Sequence, residues 1–580
     1  IFILGCAILS IGKVTNKEYW EQVSLYSEFA VDQAKKNIDK LKEIIDNLEN
    51  LPKTAFEKVL IYLSSDSVSR ESDDIKLGLW TTLINFATKH ERYSEADWAL
   101  DSALVSKIKE IANKLEPKNP INLYSRLFND DDFDLYEEDG DWEAQEKQLE
   151  NRRCHALKSI VGYGGIAAVF KLIEIAESPT KVGSILGIID EYNFDSIIIP
   201  ELLVDDNIKF EQFSNAYVWG RYNKLGWQWV DSIEKKGWSE LHVARFFMCL
   251  PFSINTWEKL IHINPDAVEI YWNKVHVRPY QLGSEVNSAV DNLIKYGRPN
   301  AAIECLYMNI HHKRPIDKAR AIRALLSAIS SLEPSYAMNT YHIVKIIEVL
   351  QNDSTTNVDD LLRIEWAYLP LLNRRHKARP ILLENRLAND SSFFCEVIRL
   401  IYRSEKTIDK QPDLNEEKKA IATNAWNLLY NWHIPPGLQD DGSFNSEKFI
   451  EWLEDTKKEC NKSGHLEVAL LEIGKVLFYC PPDTSGLWIN RVVAEALNEK
   501  DSEKMRNGFC TEIYNSRGAH WVDPTGKPER ELALKYELKA DEVENAGYQR
   551  FATALRGIAD TYNKEAERII HRHNSGDEEM

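Results

Sequence analysis

Apolar residues recur along this chain at helical spacing, on one side of each segment, with charged residues between them. In residues 317–332, Ile322, Leu325, Leu326, Ile329 and Leu332 fall on one face. In residues 356–372, Leu361, Ile364, Tyr368 and Leu372 repeat the pattern, and Thr356 with Asp359 has the spacing of a capping box. Phe551, Leu555, Ile558, Tyr562, Ala566 and Ile569 form a longer stripe. Asn545-Ala546-Gly547 separates that stripe from an earlier helix carrying Leu532, Tyr536 and Val543, which predicts a helical hairpin with a short joint.

Strand signals are sparse. Ser196-Ile197-Ile198-Ile199 is β-branched, but it is short and runs into Pro200. No Asn-Gly or Asp-Gly is flanked by alternating runs, and Asp441-Gly442, close to Pro435-Pro436-Gly437, reads as a connector. Small punctuated turns occur at Tyr296-Gly297-Arg298-Pro299-Asn300, Leu332-Glu333-Pro334-Ser335 and Cys480-Pro481-Pro482-Asp483. Helix, turn, helix at intervals of roughly 30–45 residues is the logic of tetratricopeptide (TPR) and HEAT arrays. The expected fold is therefore all-α, built of degenerate helical-hairpin repeats as a TPR/HEAT-like α-solenoid.

Two interruptions divide the chain. Residues 129–150 hold Asp130, Asp131, Asp132, Asp134, Glu137, Glu138, Asp139 and Asp141 around Phe133, Tyr136 and Trp142, a charge run expected as a solvated loop. Pro, Gly and Asp cluster again in residues 434–444. The expected organisation is a helical region at 1–128, the acidic loop at 129–150, a repeat array at 151–433 and a second helical region at 434–580. Residues 1–12 are apolar but too short to span a bilayer and lack a basic leader, so they read as a buried helix of a domain already under way. That reading makes the chain the C-terminal piece of a longer polypeptide, and its polar last residues, 573–580, read as a natural terminus.

Composition agrees with long helices. Among 580 residues there are only 25 Gly and 20 Pro, against 16 Trp, 24 Tyr and 20 Phe, rings that suit the interfaces of stacked helices. The formal charge is −20, which opposes generic nucleic-acid binding. The eight cysteines are scattered and none forms a C-x-x-C pair, which points to buried thiols in a reducing cytoplasm; with no span-length apolar stretch read in the chain, no membrane partner is expected.

Catalytic signatures were weighed against plainer readings. No phosphate-binding loop occurs, and Gly162-Tyr163-Gly164-Gly165 reads as a helix start or a close helix contact. Asp523 with Glu537-Leu538-Lys539 has the letters of a restriction-type nuclease, but Glu537 and Lys539 sit in a helical pattern where alternate residues point apart. The acidic run lacks calcium-loop spacing, and His311-His312 and His571-Arg572-His573 lack zinc-ligand spacing and read as surface histidines near helix ends. No G-x-S-x-G elbow is present. No catalytic residue, cofactor or metal site is assigned, and the chain is expected not to be an enzyme.

Two features suit a protein-binding surface. Asn373-Arg374-Arg375-His376-Lys377-Ala378-Arg379-Pro380 is a basic turn in an acidic chain, which either caps a helix C-terminus or meets an acidic partner. Trp219, Trp227, Trp229 and Trp238 fall close together, either as core or as aromatic anchors. The candidate binding residues are Arg374, Arg375, His376, Lys377, Arg379, Trp227 and Trp229.

Several phrases carry a family resemblance: Leu250-Pro251-Phe252 followed by Thr256-Trp257 and Tyr271-Trp272; Tyr296-Gly297-Arg298-Pro299-Asn300-Ala301-Ala302; Arg363-Ile364-Glu365-Trp366 with Tyr368-Leu369-Pro370-Leu371; and Ser516-Arg517-Gly518 through Trp521 to Glu529-Arg530. Across residues 162–562 the chain resembles the C-terminal helical regions of large bacterial STAND-type (AVAST-like) anti-phage proteins. In that architecture an effector and a nucleotide-binding module precede a helical sensor. The resemblance implies recognition of a phage protein by shape across a helical surface, with a homo-oligomer or a companion defence subunit as further partners. The family's catalytic motifs are not in this chain, so none of its catalytic residues is carried over. The rival reading is a free-standing scaffold that organises other bacterial proteins.

Overall fold

The structure is a computed structural model that describes residues 16–130, 141–333, 337–373, 378–406 and 416–574. The apolar opening at residues 1–12, the acidic residues 131–140, the basic residues 374–377 and the polar end from Ser575 onward lie outside the described residues. Every regular element among the described residues is helical, and the single β-bridge there, Leu438 to Phe444, pins the Asp441-Gly442 connector. The chain divides into two compact units, Ile1–Gln281 and Leu282–Met580, at a point inside the 151–433 segment.

The helices start where short polar side chains precede apolar runs. Asn37, Ser72, Asp101, Asp317, Asn357, Asp390 and Asn445 each accept a first-turn amide that has no partner within its helix. Within each unit, helices pack chiefly on their first to third neighbours along the chain. In the second unit one continuous buried cluster runs from Leu369 to Tyr562 and passes across the 434–444 connector. In the first unit a buried cluster joins Val31 to Leu115.

Among the described residues, each unit contains a helix pair that meets backbone to backbone through glycines. In the first unit Gly183 and Gly187 of the Pro179–Ile188 helix cross Gly220 of the Ile208–Ser232 helix. A Cβ on Gly183 would sit 2.1 Å from the carbonyl oxygen of Phe213. In the second unit Gly474 of the Leu466–Leu477 helix crosses Gly508 of the Glu503–Asn515 helix, and a Cβ on either would lie 1.9 Å from a carbonyl oxygen of the other helix. No side-chain rotation relieves contact with main chain, so glycine is required at these crossings.

Several expectations need correction. The Lys318–Ile329 helix buries Ala321, Ile322, Ala324 and Leu325, while Ile329 is half exposed and Leu332 fully so. The helix ends at Ile329, so helical register does not carry Leu332 to the buried face. The Val358–Ala367 helix is capped by Asn357, whose Oδ1 accepts the Asp360 amide at 3.0 Å, and not by Thr356. Asparagine one residue later is the better cap, because its oxygen reaches the first-turn amides. Residues 142–150 belong to a helix, Trp142–Ile175, that begins on the Asp141 cap, so the acidic loop is shorter than its charge suggested. The connection at Cys480 runs from Phe478 to Asn490 and buries Leu487 and Ile489, so it is no tight turn. The hairpin of Lys527–Asn545 and Gln549–Asn574 is as expected, its joint closed by bonds from the Gly547 and Tyr548 amides to Glu544 and Val543.

Trp142–Ile175 is the one helix among the described residues long and apolar enough to cross a membrane. Non-helical backbone at Gly164 and Gly165 breaks it, and its first part buries Leu149, Arg153 and Ile160 within the protein. The Gly162–Gly165 cluster is thus a helix interruption.

The Gly474–Gly508 crossing yields a stability test. Gly508→Ala is expected to destabilise by about 3 kcal/mol, because neither backbone can withdraw. Gly557→Ala, in a helix with nothing within 4 Å of the new methyl, should stabilise by up to about 1 kcal/mol. Urea unfolding of the two variants checks both signs.

Candidate functional site

The tryptophan region of the first unit is organised by one carboxylate. Asp195 is nearly buried at the start of a single helical turn, Asp195–Ile198. Its Oδ1 accepts the Tyr217 hydroxyl at 2.8 Å and the Arg221 Nε at 3.3 Å, and its Oδ2 accepts the Trp229 indole N–H at 2.9 Å. The Arg221 guanidinium also donates to the Tyr192 carbonyl at 2.7 Å. Burial pushes the Tyr217 phenol well above its usual range, so it stays a donor. The knot ties the 192–195 connector to the Ile208–Ser232 helix.

This geometry separates the tryptophans. Trp229 is a core residue, 6% exposed, with its indole N–H bonded inward, so it is not a surface anchor. Trp238 packs edge-on to Phe246 at 5.5 Å. Trp219, Tyr222 and Trp227 are half-buried and form a row: Trp219 stacks on Tyr222 at 5.9 Å, and Tyr222 meets Trp227 edge-on at 5.2 Å. Arg278 lies over the Trp219 ring at 5.3 Å and Lys259 over Trp227 at 5.6 Å. The helix is broken at Gly226 (φ 66°, ψ −159°), and beyond the break Trp227 and Trp229 take different environments two residues apart.

Of the basic turn, Arg374, Arg375, His376 and Lys377 lie outside the described residues. Arg379 lies ahead of the Ile381–Asn389 helix, not behind a helix C-terminus as the capping alternative required. Its guanidinium donates from Nε at 3.1 Å and from a terminal nitrogen at 2.5 Å to Glu384, whose side chain is fully buried. The Glu384 carboxylate also accepts the His433 amide at 3.1 Å. A second buried carboxylate, Glu365, accepts the Gln351 side-chain amide at 2.6 Å and the Leu382 and Leu383 amides at 3.2 and 2.9 Å. Those amides open the helix that starts at Ile381, where a negative charge is favoured. Gln351 also donates to the Arg379 carbonyl at 2.9 Å, which joins the two acids into one network. Arg379 therefore neutralises a buried acid. Beside it lies a cavity of about 400 Å³ lined by Ala378, Arg379, Asn431, His433 and Tyr479, the last hydrogen-bonded to Glu512 at 2.5 Å.

The first unit holds a second cavity, of about 450 Å³, with Trp80, Tyr124, Arg126, Arg152 and His155 in its lining. Among the described residues no group of three His, Cys, Asp or Glu side chains is placed to hold a metal ion. Burial pushes the thiols of Cys249 and Cys480 up to about 12 and that of Cys510 to about 11, which suppresses thiolate chemistry there. Glu537 is exposed, and Lys539 lies 4.0 Å over the Trp488 ring, so the nuclease letters do not converge. His311, His312, His571 and His573 are exposed at helix ends.

The sequence reading missed the buried acids. Glu365 carried a signal: it falls beside Ile364 and one turn after Leu361, on the apolar face of its helix. Asp195 carried none, because its partners lie 22 to 34 residues away; Glu384 carried one, since Arg379 stands five residues before it and Leu383 and Leu387 share its buried helix face. No family model, no curated protein and no solved structure matches this chain.

Glu365 gives a pH test. Burial, the dominant influence, and the neighbouring Glu384 raise its carboxyl from 4.5 to about 7, against the three donors that favour the anion. The folded chain then holds a proton that the unfolded chain releases between pH 4.5 and about 7. This contribution is fully present below pH 4.5 and is lost as pH rises through about 7. It amounts to at most about 3 kcal/mol. Glu365→Gln cannot ionise, so the stability difference between it and the native chain should change across that window and level off above it. A difference that stays constant from pH 4 to 8 would refute the assignment.

Proposed function

We propose that this chain is a non-catalytic helical recognition segment whose helices stack as a degenerate TPR/HEAT-like α-solenoid. In this reading it is the sensor part of a multidomain bacterial defence protein, acts in the cytoplasm and takes a phage protein as ligand. The observation that carries the reading is the row of Trp219, Tyr222 and Trp227 with Arg278 and Lys259 laid over it. Rings that are half-buried, rigid and already partnered by cations offer large contact area at little entropic cost, as in the hot spots of protein interfaces. Neighbour-to-neighbour packing in both units supports the solenoid, because a stacked array presents such a row on a continuous face. The resemblance of residues 162–562 to STAND-type sensors supports the defence role.

Trp227→Ala combined with Lys259→Glu removes the end of the row without touching the Asp195 knot. In cells where the whole gene restricts a phage, the double variant should lose restriction, and association with the triggering phage protein should weaken at least about 30-fold, the loss typical of a hot spot. Circular dichroism should be unchanged. Full restriction and unchanged affinity in the double variant would exclude this face.

A further inference from the structure

Two thiols meet in the core of the second unit. Cys395 lies on the Ser391–Ile401 helix and Cys460 near the end of the Ser446–Ser463 helix. Their sulfurs are 3.3 Å apart, and both residues are buried. The two helices are clamped on either side of the contact. Trp452, two turns before Cys460, packs against Phe394 at 5.1 Å. Beyond Cys460, Ser404 donates to the Ser463 carbonyl at 2.7 Å, and the Glu405 amide to the Gly464 carbonyl at 2.9 Å. A disulfide bond is about 2.05 Å long, so the sulfurs need to close by roughly 1.3 Å, within the reach of small side-chain rotations.

The Cys460 S–H points at the Cys395 sulfur, and Arg399 and Glu459 are charged groups that act on the pair. Burial and Glu459 oppose loss of a proton from either thiol, while Arg399 favours it at Cys460. Either sulfur can take the first role, and the other then resolves what forms on it.

We propose that Cys395 and Cys460 form a peroxide-responsive dithiol, reduced at rest, that closes to a disulfide across the two helices. One thiol of the pair, as its thiolate, attacks one oxygen of hydrogen peroxide, an S–O bond forms, the O–O bond breaks, and hydroxide leaves to become water with the proton lost from that thiol. The other thiol then attacks the oxidised sulfur, an S–S bond forms, the S–O bond breaks, and the oxygen leaves as a second water with the second thiol's proton. Two thiols and one peroxide give one disulfide and two waters. The new bond joins positions 65 apart in the chain and restricts the unfolded state accordingly.

The test treats the reduced full chain with hydrogen peroxide, blocks remaining thiols by alkylation and maps peptides by mass spectrometry without reduction. The expected product is one linked peptide pair joining Cys395 and Cys460, lighter by two hydrogens and reversed by dithiothreitol. The apparent Tm should rise by about 5 °C. Cys460→Ala and Cys395→Ala should each lose the link and the rise, while the native-chain measurement stands even if either variant folds poorly. Absence of the link, a link that forms only in urea-unfolded chain, pairing with other cysteines, or a lower Tm on oxidation would each overturn the proposal.

Discussion

The closest constraint in this molecule is the approach of main chain to main chain at two glycine-lined helix crossings. At Gly474 and Gly508, and at Gly183, Gly187 and Gly220, the helices come so near that carbonyl oxygens occupy the space of a side chain. Close-packed interiors resist such strain, because no flexible atom is available to move. These contacts lie between helices with one or two short elements between them, so they set how each helix leans on its near neighbour. The phenylalanines nearby, Phe213 in the first unit and Phe509 in the second, then fill the volume on either side of the crossing.

A second principle recurs in the connectors. The chain is strongly acidic, yet among the described residues several carboxylates are buried or nearly so, and four of them hold an irregular segment. Asp195 gathers Tyr217, Arg221 and Trp229 around the 192–195 connector. Glu384 and Glu365 bind Arg379, Gln351 and the opening amides of a helix. Glu529, fully buried, takes Arg517 from the loop that precedes its own helix. A buried anion without partners is too costly to persist, so each of these four acids helps specify its connector's path. The arrangement gives rigidity to segments that would otherwise be the loosest parts of a helical stack. It also explains why a basic residue in an apparently exposed turn, Arg379, serves the interior.

The surface that remains available to a ligand follows from the same economy. Trp229 and Trp227 are two residues apart and point to different sides, so one indole enters the Asp195 knot while the other joins the half-buried row. The cations over that row come from the segments around Lys259 and Arg278, which approach the Ile208–Ser232 helix only after the unit has folded.

Helices and the hairpin at Asn545-Ala546-Gly547 were legible in the sequence, because helix formation depends on residues a few positions apart. The stripe from Phe551 to Ala566 is buried as its spacing required, and the chain's low Gly and Pro content matches a wholly helical fold among the described residues. Boundaries were less legible: the Thr356 cap lay one residue early, and the charged stretch at 142–150 proved helical, since a solvated helix face and a loop share the same composition. Which glycines would be pressed against a neighbouring backbone, which acids would be buried and which two of the scattered cysteines would touch were decided by tertiary structure alone. Each of those facts depends on two segments far apart in the chain. Local periodicity says which face of a helix is buried but not what it meets.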